Sequence, residues 1–342
     1  MSATESADRR RAMLRTAMGP AIAAALGDPR VIEIMVNPNG ALRLDLLGEG
    51  RVDTDIRLDA PQVERIIRLV ASHVRAEVHA DRPIVSAELP PHGAGAGERF
   101  EGVLPPVSTG PCFAIRKPAS RVHRLIDYVN DGIMTAEAAR ELAQAVVDHR
   151  NILVAGGTSS GKTTLANALL AEMATRDERI ILIEDTRELQ CAAPDTVALR
   201  TRSAGGTMTG AIMAGAVTMA DLVRSTLRLR PDRIIVGEVR GHEALDMLKA
   251  WNTGHPGGIA TVHANSAASA LYRLEQLVQE SVVTVPRRLI AEAIDLVVFI
   301  AGRGLARRVE TIVVVTGLDA QGDYAVTDLI QATPEGKTPC VP

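Results

Sequence analysis

Aromatic side chains are scarce in this chain of 342 residues, at 2% of the total, although hydrophobic residues make up 46%. A core of ordinary size must therefore be built from Leu, Ile, Val, Ala and Met. The scarcity also removes the aromatic platform on which single-stranded nucleic acids stack their bases. The formal net charge of −3 adds no positive field, so we expect no stable nucleic-acid binding.

Cysteines and long apolar segments are also few. Three cysteines lie far apart, at 112, 191 and 340, with no CxxC pair, which excludes the usual structural zinc pattern and a disulfide framework. The longest apolar runs, at 296–301 and 312–315, are far shorter than the roughly 20 residues of a membrane-spanning helix. The first residues carry charges without an apolar segment behind them, so we expect no secretory signal.

Two domains are predicted from the change in pattern along the chain. Residues 1–130 combine short strands, a helix and Pro- and Gly-rich loops, which indicates a small α+β domain. In residues 131–342, short apolar strands alternate with helices, which is typical of an α/β domain with a largely parallel sheet. Its predicted strands are 151–155, 180–184, 233–238, 258–264, 295–300, 311–315 and 324–329. The Gly- and Met-rich segment 202–218 is predicted to be a loop or an irregular helix.

Residues 156–163 read GGTSSGKT and match the phosphate-binding pattern G-x-x-x-x-G-K-[ST]. An apolar strand precedes the motif and a helical segment follows it, which is the context that the motif requires. Backbone N–H groups of such a loop surround phosphate oxygens, and the helix N-terminus adds positive potential. The predicted nucleotide-binding residues are Gly157, Thr158, Ser159, Ser160, Gly161, Lys162, Thr163 and Thr164.

ATP and Mg²⁺ are the ligands that this loop predicts. Lys162 is expected between the β- and γ-phosphates, and the hydroxyl of Thr163 is expected to ligate Mg²⁺. Glu184 and Asp185 end the next predicted strand, at the strand edge where α/β sheets bind ligands. We therefore expect both acids to serve the metal and its water network, with Asp185 as a metal ligand. The alternative is that Asp185 caps a helix beginning at TRELQ.

Glu238 ends the predicted strand RIIVGE and is the candidate that polarises the attacking water. The usual metal-binding Asp of P-loop sites is replaced by Gly237. A plain ion pair of Glu238 with Arg240 is the alternative. His263 ends the strand GIATVHA, where it is either a sensor of the γ-phosphate or a structural histidine.

Four segments in this order resemble the secretion-motor ATPase family: GGTSSGKTTL, IEDTRELQ, LRLRPDRIIVGEVRG and NTGHPGGIATVHANS. The branch they most resemble is the conjugal-transfer TrbB branch of the hexameric type IV secretion ATPases. The resemblance is strong over residues 150–300 and weaker in the N-terminal domain. The segment 202–218 departs from it, because it looks longer and richer in Gly and Met.

The resemblance implies a RecA-like P-loop domain and a homo-oligomeric ring of six subunits, with ATP bound between the two domains. It implies a motor that is cytoplasmic and peripheral at the inner membrane, where it energises pilus assembly and export with inner-membrane secretion components as partners. By motif, it implies an acidic box, a catalytic carboxylate, a histidine box and two basic positions that reach nucleotide. These are, in turn, Glu184 with Asp185, Glu238, His263, and Arg99 with Arg116.

Three other functions stay open at this point. A type II secretion or pilus-retraction motor belongs to the same superfamily, whereas extension motors often carry a tetracysteine zinc module that this chain lacks. A nucleic-acid translocase would share the core but is disfavoured by the composition. A nucleotide-dependent scaffold without hydrolysis is disfavoured because Lys162, Thr163 and Glu238 are all present.

Overall fold

The computed structural model describes residues 12–74, 76–90, 96–119, 121–202 and 216–331. These residues form two compact units. The first comprises the residues up to 121 together with 186–188, and the second comprises the remainder. The units divide between residues 121 and 122, and Leu125 and Tyr128 are buried in a core of the second unit. The division into domains 1–130 and 131–342 stays a prediction.

The first unit is an α+β structure built on a six-stranded antiparallel sheet of order β3-β2-β1-β6-β5-β4. Its elements are α1 (12–18), α2 (Pro20–Gly27), β1 (Val31–Val36), β2 (Ala41–Leu46), β3 (Gly50–Arg57), α3 (Ala60–His73), β4 (Ile84–Glu88), β5 (Arg99–Val103) and β6 (Cys112–Arg116). Helix α3 begins at a capping box of Asp59 and Gln62 and buries an apolar stripe that includes Ile66 and Val70.

The second unit contains an eight-stranded sheet of order β14-β13-β12-β7-β11-β10-β8-β9. Its elements are α4 (Leu125–Asn130), α5 (Ala136–Val147), β7 (Ile152–Gly156), α6 (Lys162–Met173), β8 (Arg179–Glu184), β9 (Asp195–Arg200), α7 (Met219–Thr226), β10 (Arg233–Val236), α8 (Glu243–Asn252), β11 (Ile259–His263), α9 (Ala267–Gln279), α10 (Arg287–Ala293), β12 (Leu296–Ala301), β13 (Arg308–Leu318) and β14 (Tyr324–Gln331). The six strands from β12 to β9 are parallel, and β13 and β14 are antiparallel. The α/β class with a largely parallel sheet is confirmed.

Side chains of β7 alternate between two cores on the two faces of this sheet. Leu153 and Ala155 belong to one apolar cluster, and Ile152 and Val154 belong to the other. A strand buried on both faces has a continuous apolar run, which is why NILVA was recognisable in the sequence. Because the six strands are parallel, their carboxyl ends meet at one edge, where β7 continues into the GGTSSGKT loop.

Two details differ from the sequence prediction, and a third lies mostly outside the described residues. Strand β9 was not predicted, because DTVALR is only half-buried and lies at the sheet edge. Strand β10 ends at Val236, so Glu238 lies in the loop beyond it. Of the segment 202–218, residues 203–215 lie outside the described residues, and Arg202 pairs with Val217 in an isolated bridge. Within the described ranges, we find no helix with the length and apolarity to cross a bilayer.

Candidate functional site

The loop between β7 and α6 has the backbone shape of a phosphate-binding nest. Ser159 and Gly161 adopt positive φ angles of 62° and 98°. A positive φ is uncommon outside glycine, and such strained residues cluster at ligand-binding sites. Helix α6 starts directly after Gly161, so its unpaired N–H groups face the concave side of the loop. The predicted strand–loop–helix context of the motif is present.

Side chains of the loop are held close to its own backbone. Lys162 is buried, and its Nζ donates a hydrogen bond to the carbonyl of Gly157 at 2.9 Å. The hydroxyl of Ser160 is buried and has no hydrogen-bond partner among the described residues. Thr163 and Thr164 follow Lys162 in the first turn of α6, where both are half-buried. A buried polar group without a partner is costly, so the loop is arranged for a ligand with many acceptor oxygens.

Lys162, His263 and Glu238 form a continuous chain of contacts at the carboxyl edge of the sheet. The strand register pairs His263 with Gly156 across β11 and β7, which brings the histidine beside the loop. The Lys162 Nζ lies 3.3 Å from His263 Nδ1, and His263 Nε2 lies 2.7 Å from Glu238 Oε1. The structure therefore brings together three of the residues that the sequence predicted for the site.

His263 is held in one neutral tautomer by Lys162. Because an ammonium group only donates, Nδ1 must accept from Lys162, which leaves the proton on Nε2, close to Glu238 Oε1 but without the alignment of a hydrogen bond. Burial and the Lys162 charge lower the pKa of His263, and the Glu238 carboxylate opposes them without reversing the shift. The imidazole therefore links the loop lysine to the carboxylate without adding a charge.

Glu238 has a second partner in Arg240. The Arg240 Nε donates to Glu238 Oε2 at 2.7 Å, and its Nη2 contacts the same oxygen. The ion pair that the sequence offered as an alternative for Glu238 is therefore present in addition to the contact with His263. Because the Arg240 side chain is 52% exposed, it can leave without opening the core, and the carboxylate stays 20% exposed beside the loop.

Glu184 and Asp185 take different positions although they are adjacent. Glu184 is buried at the end of β8 and accepts a hydrogen bond from the Leu189 N–H at 2.7 Å. Asp185 accepts from the Thr201 hydroxyl at 2.9 Å. Residues 186–190 are not helical, so the alternative that Asp185 caps a helix is wrong. Assignment of both acids to the metal and its waters stays a prediction.

The glycine at 237 is explained by Glu184. A Cβ atom on Gly237 would lie 2.9 Å from Glu184 Cγ and 3.3 Å from its Oε1. The carboxylate of Glu184 thus fills the space beside the position where other P-loop sites place a metal-binding Asp. A side chain at 237 and the present position of Glu184 exclude each other.

The predicted metal ligands fit Mg²⁺ that arrives with a nucleotide. The Thr163 hydroxyl and a single carboxylate, that of Asp185, would suit a hard cation that keeps several waters and takes the rest of its ligands from phosphates. In the described part of the chain, no cluster of three or more His, Cys, Asp or Glu side chains could form a metal cage. An all-protein metal site is not required for this chemistry.

Arg99 and Arg116 lie in the first unit and face each other across neighbouring strands. The register of β5 and β6 pairs them directly, and Arg99 Nη1 lies 3.8 Å from Glu188 Oε1 in the same unit. Directly opposed like charges destabilise a sheet unless an anion lies nearby. Their predicted contact with nucleotide stays a prediction.

Two arginines beside the loop were missed in the sequence. Arg303 donates from Nε to the carbonyl of Thr158 at 3.1 Å. A Cβ atom on Gly161 would lie 2.8 Å from Arg307 Nε, so this guanidinium packs directly on the loop. The signal was the run GRGLARR between two apolar strands, which has three cations and two glycines but matches no motif.

Comparison with known proteins shows the family of the chain. The profile of the family "Type II/IV secretion system protein" matches residues 51–312. The conjugal transfer protein TrbB of Rhizobium radiobacter is 46% identical over 306 residues, which is 89% of this chain and 90% of that protein. The type IV secretion system protein VirB11 of Bartonella henselae is 33% identical over 306 residues, 79% of this chain and 82% of that protein. The solved ATPase DotB of Legionella pneumophila, 17% identical with a TM-score of 0.56 over 89% of this chain and 77% of that one, shares the fold.

Proposed function

This chain belongs to the Type II/IV secretion system protein family, and from that membership we propose that it is an ATP-hydrolysing motor of type IV secretion. The energy of ATP hydrolysis would drive pilus assembly and substrate export during conjugative transfer. The observation that carries the proposal is the contact chain of Lys162, His263 and Glu238 beside the phosphate-binding loop. A binding module without hydrolysis has no need of a carboxylate joined to its phosphate-binding loop through a histidine.

Binding begins when phosphate oxygens enter the loop. The backbone N–H groups of residues 157–163 and the α6 N-terminus receive them, and Lys162 turns from Gly157 and His263 toward the β- and γ-phosphates. The Thr163 hydroxyl and the Asp185 carboxylate are proposed to hold Mg²⁺, which neutralises charge on the phosphates when bound. Glu184, at the end of β8, is proposed to contribute to the water network around the metal.

Hydrolysis is proposed to use Glu238 as the base that orients and polarises water. His263, neutral and hydrogen-bonded to Lys162, loses that contact when the lysine moves to phosphate. The imidazole then moves relative to Glu238, so the position of the catalytic carboxylate depends on whether phosphate occupies the loop. This is how His263 acts as a γ-phosphate sensor.

Assembly is proposed to be a homo-oligomeric ring of six subunits at the cytoplasmic face of the inner membrane, docked on membrane components of the secretion system. TrbB and VirB11 bear names that place them in conjugal transfer and type IV secretion. The opposed pair Arg99 and Arg116 is proposed to supply positive charge to nucleotide phosphates. Such arginines stabilise charge that develops during phosphoryl transfer.

The test is ATP turnover per subunit over a range of protein concentrations, with Glu238→Gln as the blank. We expect Glu238→Gln to bind ATP and to turn it over about 10²- to 10⁴-fold more slowly, the range for a lost general base. A rise in turnover per subunit with concentration would support a site completed by neighbours. Wild-type turnover equal to the blank would contradict the assigned hydrolysis.

Lys162→Ala tests the loop itself, with the exposed Lys249→Ala as the matched control. Loss of a charge-assisted hydrogen bond of about 1.5–3 kcal/mol predicts about a 10- to 100-fold weaker affinity for ADP. Lys249→Ala should bind as the wild type does. Equal ADP affinity of Lys162→Ala and wild type would remove Lys162 from the site.

A further inference from the structure

The connection from β12 to β13, residues 302–307, has a shape that glycine imposes. Gly302 has a φ of +78°, and a Cβ atom there would lie 2.0 Å from the carbonyl oxygen of Ala306. Gly304 also has a positive φ, of +54°, and begins a single 3₁₀ turn. The connection is therefore closely folded on itself, and the side chains it presents have fixed starting positions.

Two of those side chains contact the phosphate-binding loop at two points. Arg303 Nε donates to the carbonyl of Thr158 at 3.1 Å. The guanidinium of Arg307 covers Gly161, because a Cβ atom on Gly161 would lie 2.8 Å from its Nε and 3.0 Å from its Cζ. Arg303 thus anchors the connection to the loop, and Arg307 is placed at the start of α6.

Neither Arg303 nor Arg307 has a carboxylate partner in the ranges that the structure describes. The contrast within the same segment is Arg308, whose Nε pairs with Glu310 at 3.2 Å. The Nε atom of Arg307 is buried and finds no hydrogen-bond acceptor among the described residues. A buried donor left without an acceptor costs free energy, so this guanidinium is incomplete without a further group.

The loop side of Arg307 is positive in character. The α6 N-terminus carries partial positive charge, and Lys162, whose ammonium contacts the carbonyl of Gly157 in the loop, is the first residue of that helix. Behind Arg307 is Tyr128: burial raises the pKa of this phenol, and the Arg307 charge works against the rise. A cation placed against other positive groups is unfavourable unless an anion joins them.

We propose that Arg307 is a phosphate-binding residue of the nucleotide site, carried by the β12–β13 connection and positioned by the anchor of Arg303 on Thr158. Its ligand is a phosphate oxygen of the bound nucleotide, held by the guanidinium next to Gly161. The inference rests on the proposed nucleotide-binding function and adds a contact from the connection that follows β12, the strand next to β7. A planar guanidinium suits phosphate better than an ammonium does.

The test is calorimetric titration of the full chain with Mg²⁺ and ADP, comparing Arg307→Met with its sequence neighbour Arg308→Met. Arg307→Met should weaken ADP binding about tenfold or more, the value of a charge-assisted hydrogen bond. Arg308→Met should stay within about twofold, because its exposed ion pair is worth little. Arg307→Lys, which keeps the charge but loses the fork, should fall between wild type and Arg307→Met.

Inorganic pyrophosphate, used as a competitor against ADP, separates phosphate from nucleoside contacts. A similar loss of affinity for pyrophosphate and ADP in Arg307→Met supports the phosphate contact. A loss confined to ADP would place Arg307 on the base or ribose and overturn the assignment. The thermal midpoint of the unliganded variant should stay at or above that of wild type, because an incomplete buried donor has been removed.

Three results separate the inference about Arg307 from the proposed function. If wild type binds ADP and Arg307→Met binds it equally well, the inference about Arg307 is wrong and the proposed function stands. If wild type binds neither ADP nor pyrophosphate, the proposed function itself is wrong. If Arg307→Lys and Arg307→Met both lose thermal stability without ligand in proportion to affinity, the role of Arg307 is structural, and the inference is again wrong.

Discussion

Both edges of the second unit's sheet carry a buried basic residue and a glutamate, in direct contact at one edge and joined through a histidine at the other, and the two sites differ in how completely their polar groups are paired. At the amino edge, Arg233 is 0% exposed at the start of β10. Its Nε and Nη2 both donate to Glu178, and it also donates to the carbonyls of Val146 at 2.9 Å and Gly257 at 3.4 Å. His149 lies 3.2 Å from the same carboxylate.

The carboxyl edge has the opposite character. Its chain of Lys162, His263, Glu238 and Arg240 is open to solvent at His263 and Arg240, with side-chain exposures of 44% and 52%. The nearby Ser160 hydroxyl has no partner among the described residues. A cluster whose polar groups all pair with one another stabilises the fold, whereas a cluster that keeps unpaired or solvent-exposed polar groups is available for a ligand. The same residue types therefore serve structure at one edge and binding at the other.

The amino edge should give the largest loss of stability. Arg233→Met removes the main partner of Glu178. Burial raises the pKa of this carboxyl, but hydrogen bonds and charge from Arg233 help to hold the pKa below its usual value. Breaking a buried pair on one side costs about 3–5 kcal/mol, to be measured as the free energy of unfolding in urea. The control is Arg224→Met, whose exposed pair with Asp246 should contribute no more than about 1 kcal/mol. Equal losses in the two variants would contradict the comparison.

The carboxyl edge should lose function and keep its stability. Glu238→Gln preserves the shape of the side chain, removes the ion pair with Arg240 and replaces the carboxylate beside neutral His263, and both partners are partly exposed. Such pairs are worth about 0–1 kcal/mol, so the unfolding free energy in urea should change by no more than that. A loss as large as that of Arg233→Met would mean that Glu238 is a structural residue and would remove the distinction between the edges.

The sequence was informative where a pattern is local. The apolar strand, the glycine loop and the following helix occupy one continuous segment, so strand β7, the loop and Lys162 could all be predicted. The strand-end position of His263 was also recognisable. Its contact with Lys162 was not, because it depends on β11 pairing beside β7 across more than 100 residues of chain.

Other parts could not be predicted for physical reasons that the structure makes visible. Strand β9 is only half-buried, so its apolar signal is weak. The end of β10 two residues before Glu238 depends on Gly237 and its close approach to Glu184. Arg303 and Arg307 reach the phosphate-binding loop because of how one short connection folds. The sequence of a polar, glycine-containing segment does not indicate which part of the protein its arginines contact.

The smallest effect concerns the titration of His263, which can be followed by NMR and assigned with His263→Gln. Burial and the Lys162 charge lower its pKa and the Glu238 carboxylate raises it, so its midpoint should lie below the ordinary value of about 6.5. Its folded-state pKa is depressed, so the unfolded chain binds the proton first. The contribution of His263 to stability is therefore full above about pH 6.5 and declines as the pH falls toward the folded pKa. Lys162→Ala should raise the midpoint and Glu238→Gln should lower it further. Shifts of the same sign in both variants would show that His263 does not lie between these two charges.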